Sequence, residues 1–316
     1  LETPVALLPW SRVPEAARAI LSRSMDSVPA PGDTIAVVEM AAASGLALLP
    51  PELRDPRQAT SYGTGQLIRA AAELGAKGIV LGVGGSATSD LGIGALAALG
   101  LEFRGETGAR FRTAVPAEWP HITRVEGGVF PSIPQIWIAC DVDNPLLGPR
   151  GAAATYGPQK GLAAADVPKL DDAAAKMAAL LCLHTGRPNS LAAEPGAGAA
   201  GGIAFGLRAA ARASLVPGAA LVSAWLRIDE RIAAADIVIT GEGRFDSTSL
   251  AGKIPGAIAE KARSLGKTVH VFAGSVGLDS LPGAGLHAIS PPDLPLESAL
   301  REGPARLAEA IRLLVE

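Results

Sequence analysis

Asp141 and Asp143 stand immediately after the apolar run Ile136-Trp137-Ile138-Ala139-Cys140. A carboxylate at the end of a buried strand suits the holding of Mg²⁺ or the orienting of a hydroxyl. An Asx turn or a helix cap is the plain structural alternative for both. Further on, GPQKG sets Lys160 behind Gly157 and Pro158, a rigid approach that would fix a cation beside a phosphate. An ordinary solvated lysine is the alternative there. A second charged group lies in GEGRFDS, where Glu242, Arg244 and Asp246 fall within five residues and Lys253 opens the next helix. Ordering so many ionisable side chains in one short loop is costly unless they pair or bind something. A ligand site and an internal ion-pair network are the two readings.

GVGGSATSD, from Gly82 to Asp90, follows a run of strand character and precedes a helical one. Gly84, Gly85 and Ser86 could there present backbone N–H groups and a hydroxyl to a phosphate at a helix N-terminus. A tight turn with no ligand has the same composition. Glu39 closes IAVVE and could bind substrate hydroxyls or cap the next segment, and in Thr60-Ser61-Tyr62-Gly63-Thr64 the last residue could be an N-cap. Lys253 follows Gly252 but precedes Ile254, and no GxxxxGK[ST] occurs, which excludes a P-loop kinase. Phosphoryl transfer as such needs only charge neutralisation, alignment and a base, which other folds can supply. The histidines at 121, 184, 270 and 287 show no HxxH spacing, so the sequence points to no zinc site and leaves any metal ligand unassigned. A GxSxG elbow is absent, as is a GxGxxG that opens a βαβ unit with an acid about 20 residues later. The latter argues against a dinucleotide oxidoreductase.

Four β-branched runs would position these groups: 78–83, 136–140, 236–240 and 268–272, each followed by a glycine-rich turn and most by a segment of helical period. That alternation predicts parallel α/β architecture, with the site built from the loops after the strands. Helices are expected over 93–99, from Asp166 to near Gly186, over 254–263 and over 297–315. PGAGAAGG at 195–202 reads as flexible or close-packed, and 104–134, rich in Gly, Pro and charge, as a surface excursion.

The chain has 316 residues, 48% hydrophobic and 19% charged, enough to bury a large core in two domains. Its net charge of -3 and lack of basic clusters exclude nucleic acid as an expected partner. Cys140 and Cys182 read as core thiols of a reducing compartment. No apolar run reaches the length of a membrane span, and LETPVALLPW lacks a basic n-region, so a cytoplasmic protein without a membrane anchor is expected.

Six segments, VVEMAAASGLALLP, TSYGTGQLI, GVGGSATSDLGIGAL, ACDVDNPLLGPRGAAATYGPQKG, PGAGAAGGIAFGL and VITGEGRFDSTSLAGK, together resemble the bacterial glycerate kinase family. The match runs in order from Ile35 to the C-terminus, nearly nine-tenths of the chain. The resemblance implies a non-P-loop fold of two α/β domains, one discontinuous and Rossmann-like, with D-glycerate and ATP·Mg²⁺ meeting between them to give 2-phosphoglycerate or, as the second choice, the 3-phosphate. On the residues that match, it implies Asp141, Asp246, Lys160, Lys253 and Arg244 as catalytic. It likewise implies Gly84, Gly85, Ser86, Asp90, Glu39, Asp143 and Glu242 as substrate- or nucleotide-binding. The domains expected are an atypical remainder at 1–32, an α/β domain at 33–215 and a Rossmann-like one at 216–316. A homodimer is a possible assembly. The sequence departs from the family in residues 1–32, which carry neither a D-S-F-K-G nor an A-D-G-G-E-G motif, and at Ser89 and Leu91, where an amide and a glycine are usual. Those departures leave a second expectation, a homologue that binds a carboxylate metabolite or nucleotide without turnover.

Overall fold

A computed structural model of the chain describes residues 3–24, 28–250 and 254–315. The chain divides into two compact units, Leu1–Leu221 and Val222–Glu316.

The first unit is built on eight strands: β1 (Ala6–Pro9), β2 (Thr34–Glu39), β3 (Gly78–Gly82), β4 (Leu101–Arg104), β5 (Arg110–Phe111), β6 (Arg124–Gly127), β7 (Gln135–Ala139) and β8 (Ala213–Val216). Five of them form one sheet in the order β1-β2-β3-β7-β8. The strands β2, β3, β7 and β8 are parallel, and β1 runs antiparallel along β2. Parallel strands are covered on both faces, which is why GIVLG and QIWIA are nearly continuous apolar runs rather than alternating ones. Crossover helices such as Tyr62–Glu73 and Val167–Thr185 return the chain to the same end of the sheet.

Two stretches turn out more ordered than the sequence suggested. Residues 6–22 belong to the first unit: β1 joins the sheet, Trp10 stacks on Trp137 at 6.3 Å, and Trp137 Nε1 donates to the carbonyl of Leu21 at 3.0 Å. The reason is legible afterwards, since Val13, Ala17 and Leu21 recur at one helical turn and all three are buried. Residues 104–134 are no surface excursion either. They carry β5 and β6, which flank β4 in a small antiparallel sheet, and they bury Trp119, Ile122 and Val125 in the main core. Their Gly and Pro residues mark tight turns between short strands, and the indole of Trp119 is held by the carbonyl of Ala114 at 2.9 Å.

The second unit is a three-stranded parallel sheet in the order β11-β10-β9, with β9 at Ile237–Phe245, β10 at Thr268–Val276 and β11 at Ala284–Ala288. One of its faces packs Val238, Val269, Val271 and Ala273 against the helix Ile254–Ser264 through Ala259 and Ala262. The strand β9 is longer than the apolar run alone implied, because Gly241–Phe245 stays in register with Phe272–Val276. A closing helix covers Leu296–Val315.

Candidate functional site

Register places the site of the first unit. Glu39 pairs with Gly82, Gly82 with Ala139 and Ala139 with Val216, so the carboxyl ends of β2, β3, β7 and β8 lie in one row. Everything that follows these residues leaves the sheet on one edge, the edge where open parallel sheets bind ligands. Glu39 itself is exposed, and its Oε2 lies 2.6 Å from where a Cβ on Gly82 would sit, so the carboxylate overhangs the end of β3. Two strand spacings separate it from the end of β7, about 10 Å.

After β3 the chain passes through exposed Gly84 and Gly85 into the buried run Ser86 to Asp90. Backbone bonds from Leu46 N to Gly85 O and from Ala87 N to Ser44 O, 2.8 and 2.9 Å, pin this loop to the segment after β2. Among the described residues nothing accepts from the N–H groups of Gly84, Gly85 or Ser86. The hydroxyls of Thr88 and Ser89 are likewise buried without a partner.

Lys160 enters from the segment Pro158–Lys160 and is 4% exposed. Its ammonium donates to Ser86 Oγ at 2.9 Å and to the carbonyl of Thr88 at 2.6 Å. Burial holds its pKa down at about 8, against a partial upward pull from the charge of Asp90. The solvated-lysine reading is thereby set aside. Asp90 is fully enclosed, and its carboxylate faces inward onto Ser61 and the start of the helix Ile93–Ala98 rather than toward the open edge.

The two acids after β7 differ. Asp141 accepts from Ala219 N through both oxygens, at 3.0 and 2.8 Å, and so caps the helix Gly218–Trp225 while remaining exposed. Asp143 pairs with Arg150 at 3.2 Å, an exposed pair of the kind worth about 0–1 kcal/mol. Tyr156 donates to Asn144 at 2.7 Å behind them. Cys140 is half-buried, with burial raising its thiol, and Cys182 is buried; both are free.

In the second unit Glu242 and Arg244 sit within β9 rather than in a loop after it. Asp246 follows the strand directly. Its Oδ1 accepts from Thr248 Oγ1 at 2.7 Å and Thr248 N at 2.9 Å, and its Oδ2 from Arg244 Nε at 3.1 Å. The Thr248 bonds foremost, then the guanidinium, hold its carboxyl below the usual range. Lys253 lies outside the described residues.

Sequence reasoning missed Ser61, the partner of Asp90, and Ser44, which accepts from Thr64 Oγ1 at 2.8 Å. Ser44 stood in a segment otherwise apolar, and Ser61 in a polar turn whose distant partner no neighbouring residue announced. Size did not reveal the site. Clefts of about 490 Å³ beside Asp33, Lys77 and Gln135 and about 600 Å³ beside Ile133 and Arg212 lie at the amino-terminal ends of the strands, among none of the candidate residues. No group of three His, Cys, Asp or Glu among the described residues converges as a metal cage, and no helix among them is long and apolar enough to cross a membrane.

A sequence profile of the glycerate kinase family matches residues 14–316. The chain belongs to that family. It is 40% identical over 286 residues to a glycerate kinase of Halalkalibacterium halodurans, covering 88% of this chain and 74% of that protein. It is 41% identical over 246 residues to the glycerate 2-kinase of Escherichia coli K12, covering 76% of this chain and 63% of that protein. A crystal structure assigned as glycerate kinase 2 from Salmonella typhimurium LT2 superimposes with a TM-score of 0.65 at 32% identity, covering 99% of this chain and 83% of the other. The fold is therefore that of a glycerate kinase, and the chain a kinase-family enzyme. Its matches span 74% and 63% of the two curated relatives' lengths.

Proposed function

We propose that the protein phosphorylates D-glycerate at the 2-hydroxyl with ATP as donor. One observation carries the reading: a buried cation, Lys160, is bonded to Ser86 and Thr88 directly beneath exposed Gly84 and Gly85, on the carboxyl edge of a parallel sheet. A desolvated ammonium beside open backbone N–H groups is suited to an anionic ligand, and phosphoryl transfer depends mainly on placing such groups where charge sits. The name of the E. coli relative supports the 2-position.

Residue roles follow from these placements. Lys160, with the Gly84–Ser86 backbone, holds an anionic group, and Glu39 faces the same edge as an acceptor for hydroxyls. Asp141, anchored at a helix N-terminus, and Asp246, anchored by Thr248, are fixed acids, each on its own unit. Mg²⁺ takes one or two carboxylates and otherwise water and phosphate oxygens, so a single strand-end acid suffices to hold it. Asp141 in the first unit, or Asp246 in the second, would hold it, and it would neutralise triphosphate charge. In the second unit Arg244 and Lys253 would serve as counter-cations. Asp143, Glu242 and Asp90 act through neighbours, the last as described below.

The test is an ADP-release assay with ATP, Mg²⁺ and D-glycerate, with the phosphorylated position read by NMR. Turnover to 2-phosphoglycerate is the expected result. Stabilisation by ATP or glycerate in a thermal-shift titration without turnover would instead identify a homologue that only binds. Asp141→Asn and Asp246→Asn should each lower kcat at least about tenfold with folding retained, and near-normal kinetics in both would remove them from the mechanism. Turnover should also vanish in excess EDTA and return with Mg²⁺. Full activity in EDTA would end the metal assignment.

A further inference from the structure

Among the described residues, Lys160 is the one buried cation and Asp90 the one buried carboxylate. The hydrogen-bond partners of Lys160, Ser86 Oγ and Thr88 O, are uncharged. Asp90 accepts at Oδ2 from Ser61 N at 2.7 Å, Ser61 Oγ at 2.8 Å and Gly94 N at 3.2 Å, and at Oδ1 from Gly92 N at 3.2 Å. Ser61 Oγ in turn accepts from Ala95 N at 2.9 Å, so the turn before the helix Tyr62–Glu73 is tied to the same helix start as Asp90.

All four contacts to Asp90 donate, and three are main-chain N–H groups that cannot accept. A protonated carboxyl could donate only to Ser61 Oγ, at the expense of the bond that hydroxyl gives Asp90, so the bonding suits the anion. Burial raises the Asp90 carboxyl on balance, and the bonds from Ser61, Gly94 and Gly92 offset part of that rise. Lys160 bonds the carbonyl of Thr88, two residues before Asp90 on the same buried run, and the charge of Asp90 favours the ammonium. Ser61 and its turn have no part in the functional reading so far.

We propose that Asp90 is a positioning residue: its carboxylate, clamped by the Ser61 turn, is the fixed counter-charge that keeps the Lys160 ammonium ionised beneath the Gly84–Ser86 loop. The inference rests on the reading of Lys160 as the anion-binding cation of the site. Without the counter-charge, a lysine this buried loses its proton nearer neutrality and can no longer hold an anion.

Competitive labelling of the Lys160 amine with a trace acylating reagent, followed by mass spectrometry from about pH 6 to about pH 11, measures its protonation without reference to turnover. The wild-type midpoint should lie at about 8. In Asp90→Asn it should fall by at least about one unit, a tenfold change in proton affinity, and in Ser61→Ala by less in the same direction. The alkaline limb of kcat/KM for D-glycerate should move with it. An unmoved midpoint in the variants, with turnover lowered equally at every pH, would overturn the proposal and leave Asp90 a scaffold residue. Ser61→Ala keeps the three main-chain donors and carries the test should Asp90→Asn fail to fold. A shifted midpoint in a chain with no turnover would retain the inference and remove the kinase reading, and turnover with an unshifted midpoint would do the reverse.

Discussion

Lys160→Met lowers kcat/KM by about 10²-fold or more while leaving the melting temperature within a few degrees of the wild type. The loss follows from removing a positioned charge at a phosphoryl-transfer site, which commonly costs several kcal/mol of transition-state stabilisation. The stability half of the prediction comes from burial. Folding lowers the lysine pKa from 10.5 to about 8, so a free energy of about 3 kcal/mol opposes the charged form in the folded state. That opposition is present in full below about pH 8, and stability rises with pH through the window from about 8 to about 10.5, where the unfolded chain binds the extra proton. Methionine relieves it but leaves Ser86 Oγ and Thr88 O without their donor, at about 1–3 kcal/mol each, so the two effects nearly cancel. Turnover of the wild type should likewise decline as pH rises through about 8. Kinetics of Lys160→Met beside a thermal melt check both halves, and undiminished turnover would remove Lys160 from the site.

Gly201→Ala and Gly206→Ala each destabilise the chain by at least about 3 kcal/mol, a large share of the roughly 5–15 kcal/mol that holds a domain together. Gly201 has φ +74°, and a Cβ there would stand 2.0 Å from the carbonyl oxygen of Thr88. A Cβ on Gly206 would stand 2.0 Å from the carbonyl oxygen of Leu91. Both obstacles are backbone, which no rotamer change can move, and Leu91 N donates to Gly201 O at 3.0 Å across the same contact. Since the carbonyl of Thr88 also receives the Lys160 ammonium, any displacement there reaches the site as well. Urea unfolding measures the loss. A midpoint within error of the wild type in both variants would show that the two backbones are not so closely set.

These contacts explain how much could be read beforehand. The segment 195–202 is legible as glycine-rich from residue types alone, but a stretch of such composition is equally a linker. Only the carbonyls of Thr88 and Pro145, set against Gly201 and Gly198, decide that it is close-packed. Asp141 was visible as a candidate because an ionised group beside an apolar run is improbable without a partner, and Lys160 because Gly157 and Pro158 give it a rigid approach. The sequence could not say that Asp141 caps the helix Gly218–Trp225, or that the partners of Lys160 lie on a loop 72 and 74 residues earlier.

Local information determined the alternation of strand and helix, the parallel class and the edge that carries the candidate residues, because periodicity and strand-to-helix turns are set by near neighbours. The family, too, was readable in the six segments between Ile35 and Lys253, whose order survives without any coordinates. Tertiary structure alone decided three things. Residues 6–22 and 104–134 join the first core, Gly241–Phe245 remains strand because Phe272–Val276 pairs with it, and Asp90 turns inward to Ser61 instead of outward to a ligand. Each depends on a partner distant in sequence, and the burial that fixes whether a carboxylate binds a ligand or braces a loop exists only once those partners have met.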